Sequence, residues 1–165
     1  MRILGIDPGT ARLGFGLIDI EPDYRAVDYG TIETLPSVAM HVRLFEMHSE
    51  LTALIVEYHP DIMAIEQLFF SRNVTTAIAV GQARGVAMLT AAQAGIDVVE
   101  YTPAEIKQAI SGYGNADKQQ VQAMVQILLS LDAPPHPDDA ADALAAALCH
   151  GQRHAFQDRV ASGSA

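Results

Sequence analysis

The spacing of apolar residues changes near residue 38, and this change limits the folds that the chain can adopt. Before it, three short segments have strand patterns: a buried run at 3–6, a second at 13–20 and an alternating one at 26–32. After it, apolar residues recur at helical spacing from 38 to about 58. The short connections between the three strands favour an antiparallel meander.

The remainder of the chain alternates further strands with helices. Predicted strands lie at 62–65 and 96–101, and predicted helices lie at 73–94 with Asn73 as N-cap, from Thr102, at 117–131, and from Asp138 to His150. Gly14 and Gly16 in the second strand allow another backbone to approach it closely. The order of elements predicts an α/β fold with a mixed sheet.

Composition narrows the class of protein further. A chain of 165 residues, half of them apolar, fits one folded domain, which we expect at 1–154 with a flexible tail at 155–165. No apolar run reaches the roughly 18 residues that a membrane span needs, and Asp7 interrupts the N-terminal apolar stretch too early for a signal peptide. The single cysteine, Cys149, is unable to form an internal disulfide. These features predict a cytoplasmic protein without a membrane partner.

Acidic residues stand at three notable places in this order of elements. Asp7 ends the first strand, Glu66 ends the fourth, and Asp138, Asp139 and Asp142 lie in the first turns of the last helix. Ligands of open α/β sheets collect beyond the carboxyl ends of the strands. Converging carboxylates repel one another unless a cation lies between them, and oxygen ligands suit Mg²⁺ or Mn²⁺. The pattern is typical of a metal-dependent phosphoryl-transfer site.

Structural interpretations of the same residues remain open. Asp7 can simply start a turn, and Asp138 and Asp139 can cap a helix. Glu66 is harder to explain in this way, because a charge at the end of an apolar strand needs a partner. Actin-like and sugar-kinase ATPases have a motif similar to residues 7–10, but they need two such lobes, for which this chain is too short.

The net charge of −10, with a pI near 4.8, is unusual for a protein that binds nucleic acid. Net charge does not say where the charges lie, however. Arg72, Lys107 and Lys118 lie near proposed strand ends, on the face where DNA would bind. An acidic surface elsewhere is compatible with that arrangement.

Several motifs occur in a fixed order along nearly the whole chain. They are Ile-Asp-Pro-Gly-Thr at 6–10, Ile-Glu-Gln at 65–67, Phe69, Gly-Gln-Ala-Arg-Gly at 81–85, Lys107, Ala-Asp-Lys at 116–118 with Gln-Val at 120–121, and Asp-Ala-Ala-Asp-Ala-Leu at 139–144. This ordered set resembles the bacterial Holliday-junction resolvase family RuvC.

The resemblance implies an RNase H-like fold, with a mixed five-stranded sheet and helices on both faces. It implies a homodimeric, Mg²⁺-dependent endodeoxyribonuclease that resolves four-way (Holliday) DNA junctions by paired symmetric nicks in recombination and repair. Two Mg²⁺ ions per site are expected, with Mn²⁺ as a substitute, and the RuvA–RuvB branch-migration complex is the expected partner.

The resemblance also assigns site residues. Its catalytic and metal-binding positions correspond to Asp7, Glu66, Asp139 and Asp142, and its DNA-contacting positions include Phe69, Lys107 and Lys118. The extra acid Asp138 leaves the register of the last pair open by one residue. We assign Asp138 as the helix N-cap and start the motif at Asp139.

Other residues near these positions have two interpretations each. Lys118 stabilises the transition state or only contacts phosphate. Arg72, next to the adjacent aromatics Phe69 and Phe70, is expected to hold phosphate while Phe69 stacks on an unpaired base, whereas Phe70 is expected to be core or a dimer contact. Tyr113 is a further candidate for DNA contact, and His136 is expected at the loop surface.

Three functional hypotheses therefore remain at this stage. The leading one is a junction-resolving endonuclease. The others are an RNase H-like nuclease that acts on RNA or on RNA–DNA hybrids, and a catalytically silent junction-binding protein. A pure binder gains nothing from concentrating negative charge beside phosphate, which argues against the third. The small residues of the 73–94 helix suit either a dimer interface or packing on the protein's own sheet.

Overall fold

The computed structural model describes residues 1–67, 74–161 and 163. In chain order its elements are β1 (Arg2–Asp7), β2 (Arg12–Asp19), β3 (Arg25–Glu33), α1 (Met40–Tyr58), β4 (Ile62–Glu66), α2 (Val74–Gln93), β5 (Asp97–Tyr101), α3 (Pro103–Ser111), α4 (Lys118–Leu128) and α5 (Asp138–Ala161). The predicted N-cap Asn73 and the residues Phe69, Phe70 and Arg72 lie outside the described residues.

The five strands form one mixed sheet in the order β3-β2-β1-β4-β5. The first three strands pair antiparallel, whereas β4 pairs parallel with both β1 and β5. One apolar cluster joins the sheet to α1 and α2, and a second joins its other face to α3, α4 and α5. The predicted mixed sheet with helices on both faces is therefore confirmed.

Three glycines bring α5 unusually close to the sheet. A Cβ atom at Gly14 would overlap the carbonyl oxygen of Asp139, one at Gly5 would overlap that of Ala143, and one at Gly16 would press on Leu144. The close approach predicted at Gly14 and Gly16 is confirmed, and α5 is the element that uses it. Its alanine-rich buried face, from Ala140 to Ala147, lets the helix pack at this short distance.

The buried face of α1 differs from the predicted stripe. Its buried residues are Arg43, Met47, Leu51 and Ile55, a row with a spacing of four. Phe45, which the helical spacing between 38 and 58 predicts to be buried, is 67% exposed. The predicted buried face of α1 was misplaced because Arg43 counts as a polar surface residue in a sequence pattern. Arg43 is nevertheless buried, with 7% of the residue exposed, since a backbone and a hydroxyl oxygen accept the hydrogen bonds of its guanidinium.

The predicted end of the last helix near His150 is wrong, because α5 continues to Ala161. Gly151 lies inside the helix and does not end it. Tyr24 and Ile20 pack against its backbone in the space that a side chain would otherwise fill. Beyond it, Arg153 Nη2 donates to Glu105 Oε1 at 2.7 Å, which ties the extended helix to α3. Most of the segment assigned to a flexible tail is therefore helical, and the division of the chain at residue 154 stays a prediction.

Within the described part of the chain, no helix combines the length and the apolar character needed to span a bilayer.

Candidate active site

Two carboxylates meet where β1 and β4 end. These strands are parallel neighbours with Gly5 opposite Ala64 and Ile6 opposite Ile65, so Asp7 and Glu66 occupy adjacent positions at the same edge. Side chains alternate between the faces of a strand, and both carboxylates fall on the face covered by α3 to α5. The structure brings these two predicted site residues together.

Helix α5 carries the other predicted acids to the same place. Asp7 pairs across the sheet with Gly14, the glycine against which the backbone of Asp139 rests. Asp142 lies three residues further on, which places it on the same side of the helix as Asp139. The absence of a side chain at Gly14 therefore decides how near the helical carboxylates come to Asp7.

Arg43 of α1 holds the turn that follows Asp7, a role that the sequence analysis did not predict. Arg43 Nη2 donates to the carbonyl oxygen of Thr10 at 2.6 Å, and Arg43 Nε donates to Thr34 Oγ1 at 2.8 Å. Thr34 Oγ1 in turn donates to the same Thr10 carbonyl at 2.6 Å. No local pattern identifies this role, because the three residues are distant in sequence. The network anchors the turn directly after Asp7 through the Thr10 carbonyl.

Burial and mutual repulsion shape the acidity of the cluster. Burial raises the pKa of Asp7 to about 7, and the charges of the other three carboxylates add to the effect. Burial likewise raises the pKa of Glu66, an effect that Asp142 strengthens and Lys107 opposes. The pKa of Asp142 is also raised by burial, although the hydrogen bond from Lys118 acts in the opposite direction. Negative charge in this cluster is thus poorly compensated by the protein alone.

Two cationic side chains contact the helical carboxylates directly. Lys118 Nζ lies 3.0 Å from Asp142 Oδ2, and Arg12 Nε lies 3.2 Å from Asp139 Oδ2. Burial alone would lower the pKa of Lys118. The hydrogen bond to Asp142 outweighs that effect, so the pKa lies above its ordinary value. Arg12 had no role in the sequence-based prediction. Its position at the start of β2, two residues before Gly14 and on the same face, explains the contact.

The assignment of Asp138 as the N-cap of the last helix is wrong. The Pro137 carbonyl accepts the first helical bond, from Ala141 N at 3.2 Å, so Pro137 caps the helix and Asp138 is its first residue. The Asp138 carboxylate instead accepts a hydrogen bond from Gln122 Nε2 at 2.8 Å and lies 3.3 Å from Lys118 Nζ. It is exposed and engaged by α4.

The donor chemistry of the site fits divalent cations. All four predicted ligands are carboxylates, the oxygen donors that Mg²⁺ and Mn²⁺ prefer. Two of them, Asp139 and Asp142, are already paired with cations of the protein. Over the described ranges, no three His, Cys, Asp or Glu side chains are close enough to form a complete metal-ligand group. Each of these contacts engages one carboxylate oxygen, Oδ2, which a bound ion would have to share or take over.

A cavity of about 280 Å³ opens beside the carboxylates. Glu66, Asp142, Lys107 and Lys118 line it together with apolar side chains of α3, α4 and α5. Both predicted DNA-binding lysines therefore border the acidic cluster. Tyr113 is 60% exposed in the loop before α4, and His136 is exposed, as expected.

Comparisons with known proteins agree with this arrangement. The family model for the crossover junction endodeoxyribonuclease RuvC matches residues 3–150. A RuvC of that description from Syntrophomonas wolfei is 55% identical over 151 residues, which cover 91% of this chain and 88% of the relative.

Solved structures give the same result at the level of the fold. The Thermus thermophilus RuvC structure superposes with a TM-score of 0.89 at 34% identity, covering 95% of this chain and 97% of that one. T. thermophilus RuvC in complex with Holliday junction substrate gives a TM-score of 0.87 at 32% identity, covering 94% and 96%. The predicted RNase H-like fold is thereby confirmed. By sequence and by structure, the chain belongs to the crossover junction endodeoxyribonuclease RuvC family.

Proposed function

We propose that this protein is a metal-dependent endodeoxyribonuclease that resolves four-way DNA junctions by paired, symmetric nicks in recombination and repair. The observation that carries the proposal is the convergence of Asp7 and Glu66 with the N-terminal turns of α5, where Lys118 and Arg12 bind the carboxylates. This convergence occurs in a chain that matches the RuvC family from residue 3 to residue 150.

Asp7, Glu66, Asp139 and Asp142 are the proposed ligands of two Mg²⁺ ions, with Mn²⁺ as a substitute. When bound, such ions make a water molecule nucleophilic and stabilise the leaving oxygen of a phosphodiester. The charges of the other three carboxylates all act on Asp7, which is therefore the candidate to bind both ions. The role of the fold is to hold the four oxygen donors on rigid elements, two on strand ends and two on one helix.

DNA contacts are assigned to the cations around this cluster. Lys107 and Lys118 face the cavity beside Glu66, so each can reach a phosphate near the cleaved bond. Lys118 already binds a carboxylate oxygen in the site, which makes it the better candidate to stabilise negative charge during cleavage. Phe69 and Arg72, between β4 and α2, are proposed to stack on a base and to hold phosphate.

A symmetric dimer supplies the second active site that two opposed nicks require. The small residues Ala83, Ala87 and Ala91 of α2 pack into the protein's own core. Another side of the same helix presents Ile78 at 59% and Leu89 at 56% exposure. We assign the dimer interface to that exposed side, so Leu89→Glu should yield a monomer in light scattering, whereas an unchanged dimer would place the interface elsewhere.

The RuvA–RuvB complex is proposed as the partner on the junction, and the cytoplasm as the location. The buried free thiol of Cys149 is consistent with a reducing compartment.

Cleavage of three labelled substrates tests the proposal. A synthetic four-way junction, a linear duplex and an RNA–DNA hybrid are incubated with the protein, with and without Mg²⁺. We expect paired nicks in the junction alone, and only with the metal. Preferential cleavage of the hybrid would identify a different RNase H-like nuclease, and metal-independent binding without cleavage would identify a junction-binding protein.

Substitutions in the acid cluster test the ligand assignment. Asp139→Asn and Asp142→Asn should each abolish cleavage while junction binding persists. Asp138→Asn should retain much of the activity, because Asp138 is exposed and bound by Gln122 and Lys118. An inactive Asp138→Asn variant together with an active Asp139→Asn variant would shift the ligand register by one residue.

A further inference from the structure

Arg12 is placed against the predicted metal site by the backbone of β2. Side chains two residues apart lie on the same face of a strand, so Arg12 shares the α5 side of the sheet with Gly14. The backbone of Asp139 rests on Gly14. These two constraints bring Arg12 Nε to 3.2 Å from Asp139 Oδ2, with half of the Arg12 side chain exposed to solvent.

The pair differs from the other arginine–carboxylate pairs found among the described residues. Their carboxylates all lie outside the acidic cluster: Arg2 and Arg25 contact Asp19, Arg84 contacts Glu100, and Arg153 contacts Glu105. Arg12 instead contacts a carboxylate that belongs to a proposed ligand set. A guanidinium beside Asp139 lowers the negative potential of the cluster, and it engages one of the two carboxylate oxygens of a proposed metal ligand.

We propose that Arg12 is a positioning residue that acts as an internal counterion, holding Asp139 in the metal-free protein and competing with divalent metal ions for it. The inference rests on the proposed function, because it takes Asp139 as a metal ligand. Its consequence is that metal binding is weaker than the four carboxylates alone would give. When divalent ions bind at the site, Arg12 leaves Asp139.

Direct measurement of metal binding tests this role without DNA and without a cleavage assay. Mg²⁺ and, separately, Mn²⁺ are titrated calorimetrically into the wild-type protein and the Arg12→Gln variant at low ionic strength. The Arg12 side chain is half exposed, so its removal should change the metal affinity modestly, and we expect the variant to bind metal about two- to fivefold more tightly. Arg12→Lys keeps the charge and should return affinity toward that of the wild type.

Controls separate this effect from a change in net charge or in folding. Arg25 forms a pair with Asp19 at 3.7 Å, at the opposite end of β2 from Arg12, so Arg25→Gln removes the same charge and should leave metal affinity unchanged. Circular dichroism in EDTA checks that each variant is folded, and Arg12→Met provides a second neutral side chain. Equal or weaker metal binding by both neutral Arg12 variants would overturn the inference. Absence of metal binding by the wild-type protein would overturn the proposed metal site as well.

Discussion

Asp7→Asn should stabilise the metal-free protein, although it removes a proposed catalytic residue. Asp7 is confined among carboxylates, and the protein supplies it with no ion pair within the described residues. Its pKa in the folded protein is about 7, against an ordinary value of 3.8. Ionising Asp7 therefore costs more free energy in the folded protein than in the unfolded chain, which lowers the stability of the folded state.

The size and the pH dependence of the effect follow from that pKa. A rise of about three pH units corresponds to an upper limit of about 4 kcal/mol, and screening by solvent at the open edge of the site reduces it to about 1–3 kcal/mol. Because the folded pKa lies above the unfolded one, wild-type stability falls as pH rises from about 4 to about 7, and the penalty is complete above that range. Asparagine does not ionise, so the gain of the variant should be largest at about pH 8 and vanish near pH 4.

Urea unfolding in EDTA at a series of pH values measures this gain. Asp19→Asn serves as a control of opposite sign, since Arg2 donates to both Asp19 oxygens at 2.9 Å and lowers the pKa of that carboxyl. Saturating Mg²⁺ should reverse the ranking, because it stabilises only a protein that binds it. A variant that is less stable than the wild type at pH 8, or a gain that does not change with pH, would refute the electrostatic explanation.

Three further variants test the supports of the site. Arg43→Met should lower the free energy of unfolding by about 1–3 kcal/mol and reduce cleavage, because the Thr10 carbonyl loses one of its two donors and Thr34 Oγ1 loses the donor that orients it. Urea unfolding and single-turnover cleavage measure the two effects, and unchanged cleavage would separate this network from the site. Gly14→Ala should destabilise the protein by at least about 1–3 kcal/mol by forcing α5 away from β2, which thermal unfolding detects. Lys107→Ala should weaken junction binding and flatten its dependence on salt, and an unchanged salt slope would exclude a phosphate contact.

The sequence predicted those parts of the site that depend on local patterns. Asp7 and Glu66 end short apolar runs, and strand ends can be read from the residues themselves. Once the two strands are neighbours, parallel pairing makes the carboxylates meet at one edge. The capping box at Thr102 and Glu105 was predictable for the same reason, and both of its hydrogen bonds are present. The resemblance to the family then predicted that Asp139 and Asp142 of α5 belong to the same site.

Contacts between residues distant in sequence were not predictable in this way. Arg43 joins the core because it finds acceptors on a turn 33 residues away, and a polarity pattern counts it as surface. Arg12 meets Asp139 only because a glycine lets two backbones touch. Asp138 resembles an N-cap by its position before an alanine-rich run, yet Gln122 and Lys118 of another helix bind its carboxylate. In each case the deciding partner belongs to a different element.

The acidic composition of the chain has a physical consequence at this site. The four carboxylates of the cluster outnumber the three nearby cations, Arg12, Lys107 and Lys118. Without metal ions, the site therefore has a residual negative charge where a phosphodiester must approach. Two divalent ions would reverse that sign and release Arg12 and Lys118 from their carboxylates, so that the same lysines and arginine become available to DNA.

Junction affinity should accordingly rise when a non-catalytic ion such as Ca²⁺ is added at constant ionic strength, and Asp7→Asn should reproduce part of that rise without any metal. A junction affinity that Ca²⁺ leaves unchanged or lowers would show that DNA binding is governed by charges elsewhere on the surface.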